Sequence, residues 1–166
     1  MTDNVKFSYE FNVPSVASIV ALCVECKYLP ELMPMFIKNI DVVQIVRSER
    51  CIRMVVRCQL RIPIVNIVYN FVVCGKIMEA KDGVCVMFGY TTAESDIPNV
   101  RCIVTIDNSS LHLHARFTVE KSTLPFSVSV LKLIHLFTIP IVPRLVVAAA
   151  SSDIIQSTMN ADYFKF

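Results

Sequence analysis

The chain has 166 residues, of which 54% are hydrophobic and 18% charged, and its formal net charge is +2. A chain of this length can bury roughly 70% of the surface its unfolded form exposes, so one domain over residues 1–166 is expected. The near-neutral balance excludes the basic surplus that tracks a phosphate backbone and the acidic excess of a disordered tail, so nucleic acid is not an expected partner.

Val5, Phe7, Tyr9 and Phe11 alternate with Lys6, Ser8 and Glu10, the period-two pattern of a half-buried strand. Asn12 then offers a helix cap and Pro14 suits a first turn, while Val16, Ile19, Val20, Cys23 and Val24 fall on one helical stripe. This short helix should end near Tyr28, before Pro30. The segment from Pro30 to Phe36, with Met33 and Met35, reads as a second helical turn or a tight apolar loop.

From about residue 39 the period is two again. Ile52, Met54, Val56, Cys58, Leu60 and Ile62 take one parity, and Arg53, Arg57, Gln59 and Arg61 the other. Residues 65–77 and 84–90 are apolar on both parities, as in central strands, with a hairpin signal at Lys81-Asp82-Gly83 between them. Val100 to Ile106 and Leu111 to Val119 alternate on either side of Asn108-Ser109. A two-residue loop there would pair Cys102 with Ala115 and Thr105 with His112, with matching parities. Seven strands are expected, at about 4–12, 38–46, 51–62, 65–77, 84–91, 99–107 and 110–120.

Beyond Lys121 a helical stripe runs through Phe126, Val130, Leu133, Ile134, Phe137, Ile141 and Leu145 and extends to about residue 160, with Thr123 as its cap and Pro125 in its first turn. Pro140 and Pro143 must kink or split it. Lys132, His135 and Arg144 interrupt the apolar runs, which fall short of a bilayer span, so stable membrane insertion is not expected. The opening MTDNVKFSYEF lacks the regions of a signal peptide, and a cytoplasmic location follows as an expectation.

The element order and two local stretches, Val13-Pro14-Ser15-Val16 and Tyr28-Leu29-Pro30-Glu31-Leu32-Met33-Pro34, resemble the START-like, or Bet v 1-like, helix-grip superfamily. The second stretch is similar to a turn of its polyketide cyclase and coenzyme Q-binding branch. The resemblance implies an α+β helix-grip fold: a seven-stranded curved antiparallel sheet, two short helices and a long kinked C-terminal helix. It also implies a cavity between sheet and helix for a lipid, quinone or polyketide-like molecule.

The chemistry-bearing residues are sparse. Seven cysteines, at 23, 26, 51, 58, 74, 85 and 102, are expected to be reduced and packed in the interior. Cys23 and Cys26 have the spacing of half a zinc site, but no second pair matches it, so neither metal nor cofactor is expected. His112 and His114 sit beside Arg116 on the wet parity of their strand, and His135 lies off the last stripe and reads as a rim residue. No nucleophile–base set, phosphate loop or carboxylate pair stands out, so no catalytic residue is assigned and a non-enzyme is expected.

Two readings remain. The first is a carrier of a small hydrophobic molecule, with Met33, Tyr69, Phe88, Tyr90, Phe117 and Phe137 as candidate ligand-binding residues. The second is an interaction module or homodimer using an apolar outer sheet face of Val68, Val72, Cys74, Cys85 and Met87, provided that Tyr69 and Phe88 point inward. A cavity of about 300 Å³ or more favours the first.

Overall fold

A computed structural model describes residues 4–62, 67–80 and 83–159. Its strands are β1 (Asn4–Asn12), β2 (Ile37–Ser48), β3 (Cys51–Ile62), β4 (Ile67–Glu79), β5 (Val84–Thr91), β6 (Val100–Asp107) and β7 (His112–Glu120). They form one antiparallel sheet in the order β1-β7-β6-β5-β4-β3-β2. From β2 to β7 each strand pairs with the next in sequence, and β1 closes the row against β7. Two register shifts in β2, at Ile37/Asn39 and Val42/Gln44, mark bulges of the kind that bend a strand. The α+β architecture and the seven strands agree with the sequence pattern.

One turn departs from it. Between β6 and β7 the register pairs Cys102 with Phe117 and Thr105 with His114, two residues away from a two-residue loop. The Asp107 carboxylate accepts from Ser109 N–H (2.8 Å), Ser109 Oγ (2.6 Å) and Ser110 N–H (3.4 Å). This Asx-type turn carries the chain to Leu111, which takes the left-handed φ of 55° and donates its N–H to the Asp107 carbonyl. A slip of two preserves the parity, so the same side chains face inward. At the β4–β5 hairpin Gly83 takes φ +78°; Lys81 and Asp82 of the predicted signal, and residues 65 and 66 of the predicted fourth strand, lie outside the described residues.

The helix boundaries are set by serines rather than by the predicted caps. Asn12 is taken up in β1 opposite His112, and Ser15 caps α1 (Val16–Val24), its Oγ accepting from Ser18 N–H at 3.0 Å. A 3₁₀ turn at Cys26–Tyr28 leads into α2 (Leu29–Leu32), with Pro30 in its first turn. In place of one long helix the C-terminal region holds α3 (Val128–Thr138), α4 (Ile141–Ala150) and α5 (Asp153–Thr158). Ser127 and Ser152 cap α3 and α5, each accepting a backbone N–H three residues on. Thr123 lies in a 3₁₀ turn ahead of α3. The break at Ile139-Pro140 bends α3 and α4 by 52°, the split that the two prolines predict; among the described residues no single helix is long and apolar enough to cross a membrane.

The inner sheet face is covered unequally. Helices α1, α4 and α5 touch one another through small, fully buried positions such as Ser18, Ala21, Ala149 and Ala150, with Ile155 beside them. They close over Ile52, Met54, Ile77, Cys85, Met87, Ile106, Leu113 and Ala115 to make a solid core. The other half of that face lies under α3, where the packing is open.

Candidate functional site: an apolar cavity beneath the third helix

Strand parity places Phe7 and Tyr9 of β1, Phe117 of β7, Leu60 and Ile62 of β3 and Tyr69 of β4 at the open half of the sheet. Opposite them α3 presents Leu131, Ile134, His135, Phe137 and Thr138, and α4 presents Val142, Leu145 and Val146. Met33, Phe36 and Ile37 close one side, and Ile97 and Pro98 another. The space, open to solvent on one side, is about 460 Å³, well inside the range for small-molecule sites. Almost no polar atom faces it.

The aromatic wall is built in register. Phe7 pairs with Phe117 across β1 and β7, and their rings stack at 5.0 Å with 6° between planes. Tyr9 meets Phe117 edge-on at 5.9 Å. The His135 ring lies 5.0 Å from Phe7 and 5.1 Å from Tyr9, and its Nε2–H donates to the Ser8 carbonyl at 3.0 Å. Beside it the Thr138 hydroxyl donates to the carbonyls of Ile134 and His135 (2.9 and 3.0 Å), which leaves its oxygen to accept from Tyr9 OH at 2.6 Å. These contacts fix α3 to the sheet edge and use up the polar atoms that would otherwise line the space. Burial raises the Tyr9 phenol pKa, and the Thr138 hydrogen bond opposes that in part.

Of the six candidate residues, the structure brings together four: Met33, Tyr69, Phe117 and Phe137 all line the cavity. Phe88 and Tyr90 do not join them. An odd number of residues separates Glu79 from Cys85 in the β4–β5 hairpin, so Ile77 faces Met87 and odd positions of both strands point inward. Cys85 and Met87, expected outside, are therefore buried in the core, while Phe88 and Tyr90 stand on the outer face, 41% and 54% exposed. The parity assigned to β5 from its aromatic residues was inverted, because this strand is apolar on both faces and the smaller pair is the buried one. Val68, Val72 and Cys74 keep the outer parity of β4, but Val72 is buried and Val68 and Cys74 are half-buried, so they do not form the exposed patch expected of them.

Several wall residues escaped the sequence reading. His135, read as a rim residue, stands among the cavity-lining rings, whereas Leu133, read as part of the apolar stripe, is 60% exposed. Helix α3 is apolar nearly all round, so a stripe drawn on hydrophobicity alone cannot choose its face. Phe7 was signalled, since it shares the inward parity of Tyr9.

Cys26, Cys58 and Cys85 are buried, and Cys23 and Cys102 are partly buried. Burial pushes Cys23, Cys58 and Cys102 up to about 12, with neighbouring thiols adding to the effect at Cys23 and Cys58, and pushes Cys26 and Cys85 up to about 11. Cys23 contacts Met87 Sδ at 3.7 Å. Such thiols are packing groups. His112 and His114 flank the Glu10 carboxylate at 3.8 and 3.7 Å on the exposed edge, as their wet parity implies.

A seven-stranded antiparallel sheet gripping a bent C-terminal helical segment is a helix-grip α+β fold. No protein-family model and no curated protein sequence matches the chain. Among solved structures it is similar to human STARD10, with a TM-score of 0.67 and 9% identity over 99% of this chain and 70% of that one. It is also similar to the Zhui aromatase/cyclase from Streptomyces, with a TM-score of 0.56 and 8% identity over 96% of this chain and 98% of that one. A third likeness is to the di-domain ARO/CYC BexL of the BE-7585A biosynthetic pathway, with a TM-score of 0.59 and 11% identity; it covers 89% of this chain but only 48% of that one. At these identities the likeness is one of fold.

Proposed function

We propose that the protein binds and carries a small hydrophobic molecule, of the lipid, quinone or polyketide class, in the cavity beneath α3. The observation that carries this reading is the 460 Å³ space with an almost wholly apolar wall. An apolar wall of that extent gains by being covered, and a ligand that fills the space removes it from water. Acid–base chemistry needs polar groups free to reach a substrate. Here Tyr9 OH is committed to Thr138 and His135 Nε2 to the Ser8 carbonyl, so the wall favours a carrier over a cyclase.

The test is uptake of an apolar fluorescent probe by the wild type and by Phe137→Ala. Phe137 lines the cavity but is 46% exposed, so the variant should stay folded and change probe affinity several-fold. A folded wild type that takes up no apolar probe at micromolar concentration would remove the carrier reading.

A second reading rests on the outer face, where Phe88 is paired with Ile103 and Tyr90 stands two residues along the same strand, all three at least 36% exposed. A patch of this kind is common at protein interfaces, and a homodimer through it is the alternative. A dimer mass in light scattering that is lost in Phe88→Arg supports this reading; a concentration-independent monomer removes it.

A further inference from the structure

The cavity wall carries no free polar anchor, and this limits which hydrophobic molecules it suits. Tyr9 and Thr138 satisfy each other, and His135 is held by the backbone of β1. Arg61 and Tyr69 also border the space, yet almost no polar atom faces it, so they give it the aliphatic stem and the ring. Among the described residues no buried side-chain nitrogen or oxygen lacks a partner, which places the polar ends of both in reach of water. A ligand head group drawn inside would lose its hydration and find nothing to replace it, a strongly unfavourable exchange.

Volume narrows the choice further. At roughly 30 Å³ for a water-sized group, about 460 Å³ accommodates on the order of 15 such groups. That is the scale of one acyl or prenyl chain. The wall also reaches the surface: Phe137 belongs both to the lining and to the solvent-exposed side of α3.

Resting on the carrier reading above, we propose that the cargo is a single-chain amphiphile held tail-in and head-out, its chain in the cavity and its polar head left in water at the rim. Selection is then by chain length and shape, and the head group is tolerated whatever its charge or bulk. Arg61, with no acidic side chain within 4 Å among the described residues, adds at most the small preference of an exposed ion pair for an anionic head.

The test is displacement of an apolar probe by a fatty acid, a fatty alcohol and a lysophosphatidylcholine of matched chain length, and by each at several lengths. Affinities should agree within ~5-fold across the three heads and rise ~4-fold per added methylene until the cavity is full. A stearate with a nitroxide near its carboxyl should be reduced by ascorbate at the free rate, and one with the nitroxide near its methyl end at least ~10-fold more slowly, as burial excludes the reductant. Probe binding together with exclusion of the lysophosphatidylcholine, or protection of the carboxyl-end nitroxide, would overturn the head-out arrangement while leaving the carrier reading intact. Absence of binding by the probe and by every chain would overturn both.

Discussion

The hydrogen bond from Tyr9 to Thr138 joins β1 to α3 across the end of the cavity, so its deletion tests how the roof is held. In Tyr9→Phe the Thr138 hydroxyl still donates to the carbonyls of Ile134 and His135, and the cost is one net hydrogen bond, about 1 kcal/mol. Thr138→Val removes the acceptor and leaves the donor hydroxyl of the half-buried Tyr9 without its partner, at a cost of about 1–2 kcal/mol. For a chain of this length 1 kcal/mol corresponds to a Tm change of roughly 2–4 °C. The double variant should be no less stable than Thr138→Val alone, which gives a coupling of about 1 kcal/mol in a cycle read by thermal or urea unfolding. Additivity within about 0.3 kcal/mol would show that the two hydroxyls do not act together and that α3 is not anchored there.

Two further predictions follow from the titrating groups. Burial holds Cys26, Cys58 and Cys85 at about 11 to 12, so at about pH 8, where an ordinary thiol is partly ionised, iodoacetamide followed by mass spectrometry should leave these three unmodified until the protein is unfolded. Fast labelling of any of them in the native protein would contradict the packing. Hydrogen bonds from the Ser109 hydroxyl, and then from backbone N–H groups, hold the Asp107 carboxyl below its ordinary value. The stabilisation is therefore complete above the unfolded-state pKa and is lost as pH falls through the lower folded-state value, so Asp107→Asn should flatten the acid limb of the stability curve. An acid limb identical to wild type would show that the turn does not depend on the charge.

Much of the fold was legible because the hydrophobic period changes character so clearly along the chain. Val5 to Phe11 and Ile52 to Ile62 alternate without ambiguity, and the proline pair marks the bend between α3 and α4. The β6–β7 turn was misread by two residues because the Asp107 side chain, not loop length, sets its geometry. Slips of two are invisible to a parity argument, whereas a slip of one would have exposed the core. The β5 face failed for a different reason. Val84 to Tyr90 is apolar on both parities, and only the hairpin register, which places Met87 opposite Ile77, decides which residues are buried. Applying to β4 and β5 the register argument used for β6 and β7 would have rejected Phe88 and Tyr90 as wall residues once Tyr69 was taken as inward, given an odd hairpin loop.

The division of the inner sheet face into a packed core and a cavity was not legible at all. Periodicity reports which side chains leave water, but Ile52 beneath α1 and Leu60 beside the cavity have the same signature in sequence. What separates them is where α1, α4 and α5 gather small residues and pack closely, and where the Pro140 bend carries α3 over the other half. That geometry belongs to the tertiary arrangement of the helices.

The central claim, that an apolar ligand enters beneath α3, is tested most directly by a backbone and methyl NMR titration with an apolar probe. Saturable shifts should concentrate on Tyr9, Leu60, Tyr69, Phe117, Ile134 and Val142, which surround the cavity, and leave Phe88, Tyr90 and Ile103 unmoved on the outer face. Shifts confined to Phe88, Tyr90 and Ile103, or no saturable shift in the folded protein, would contradict it.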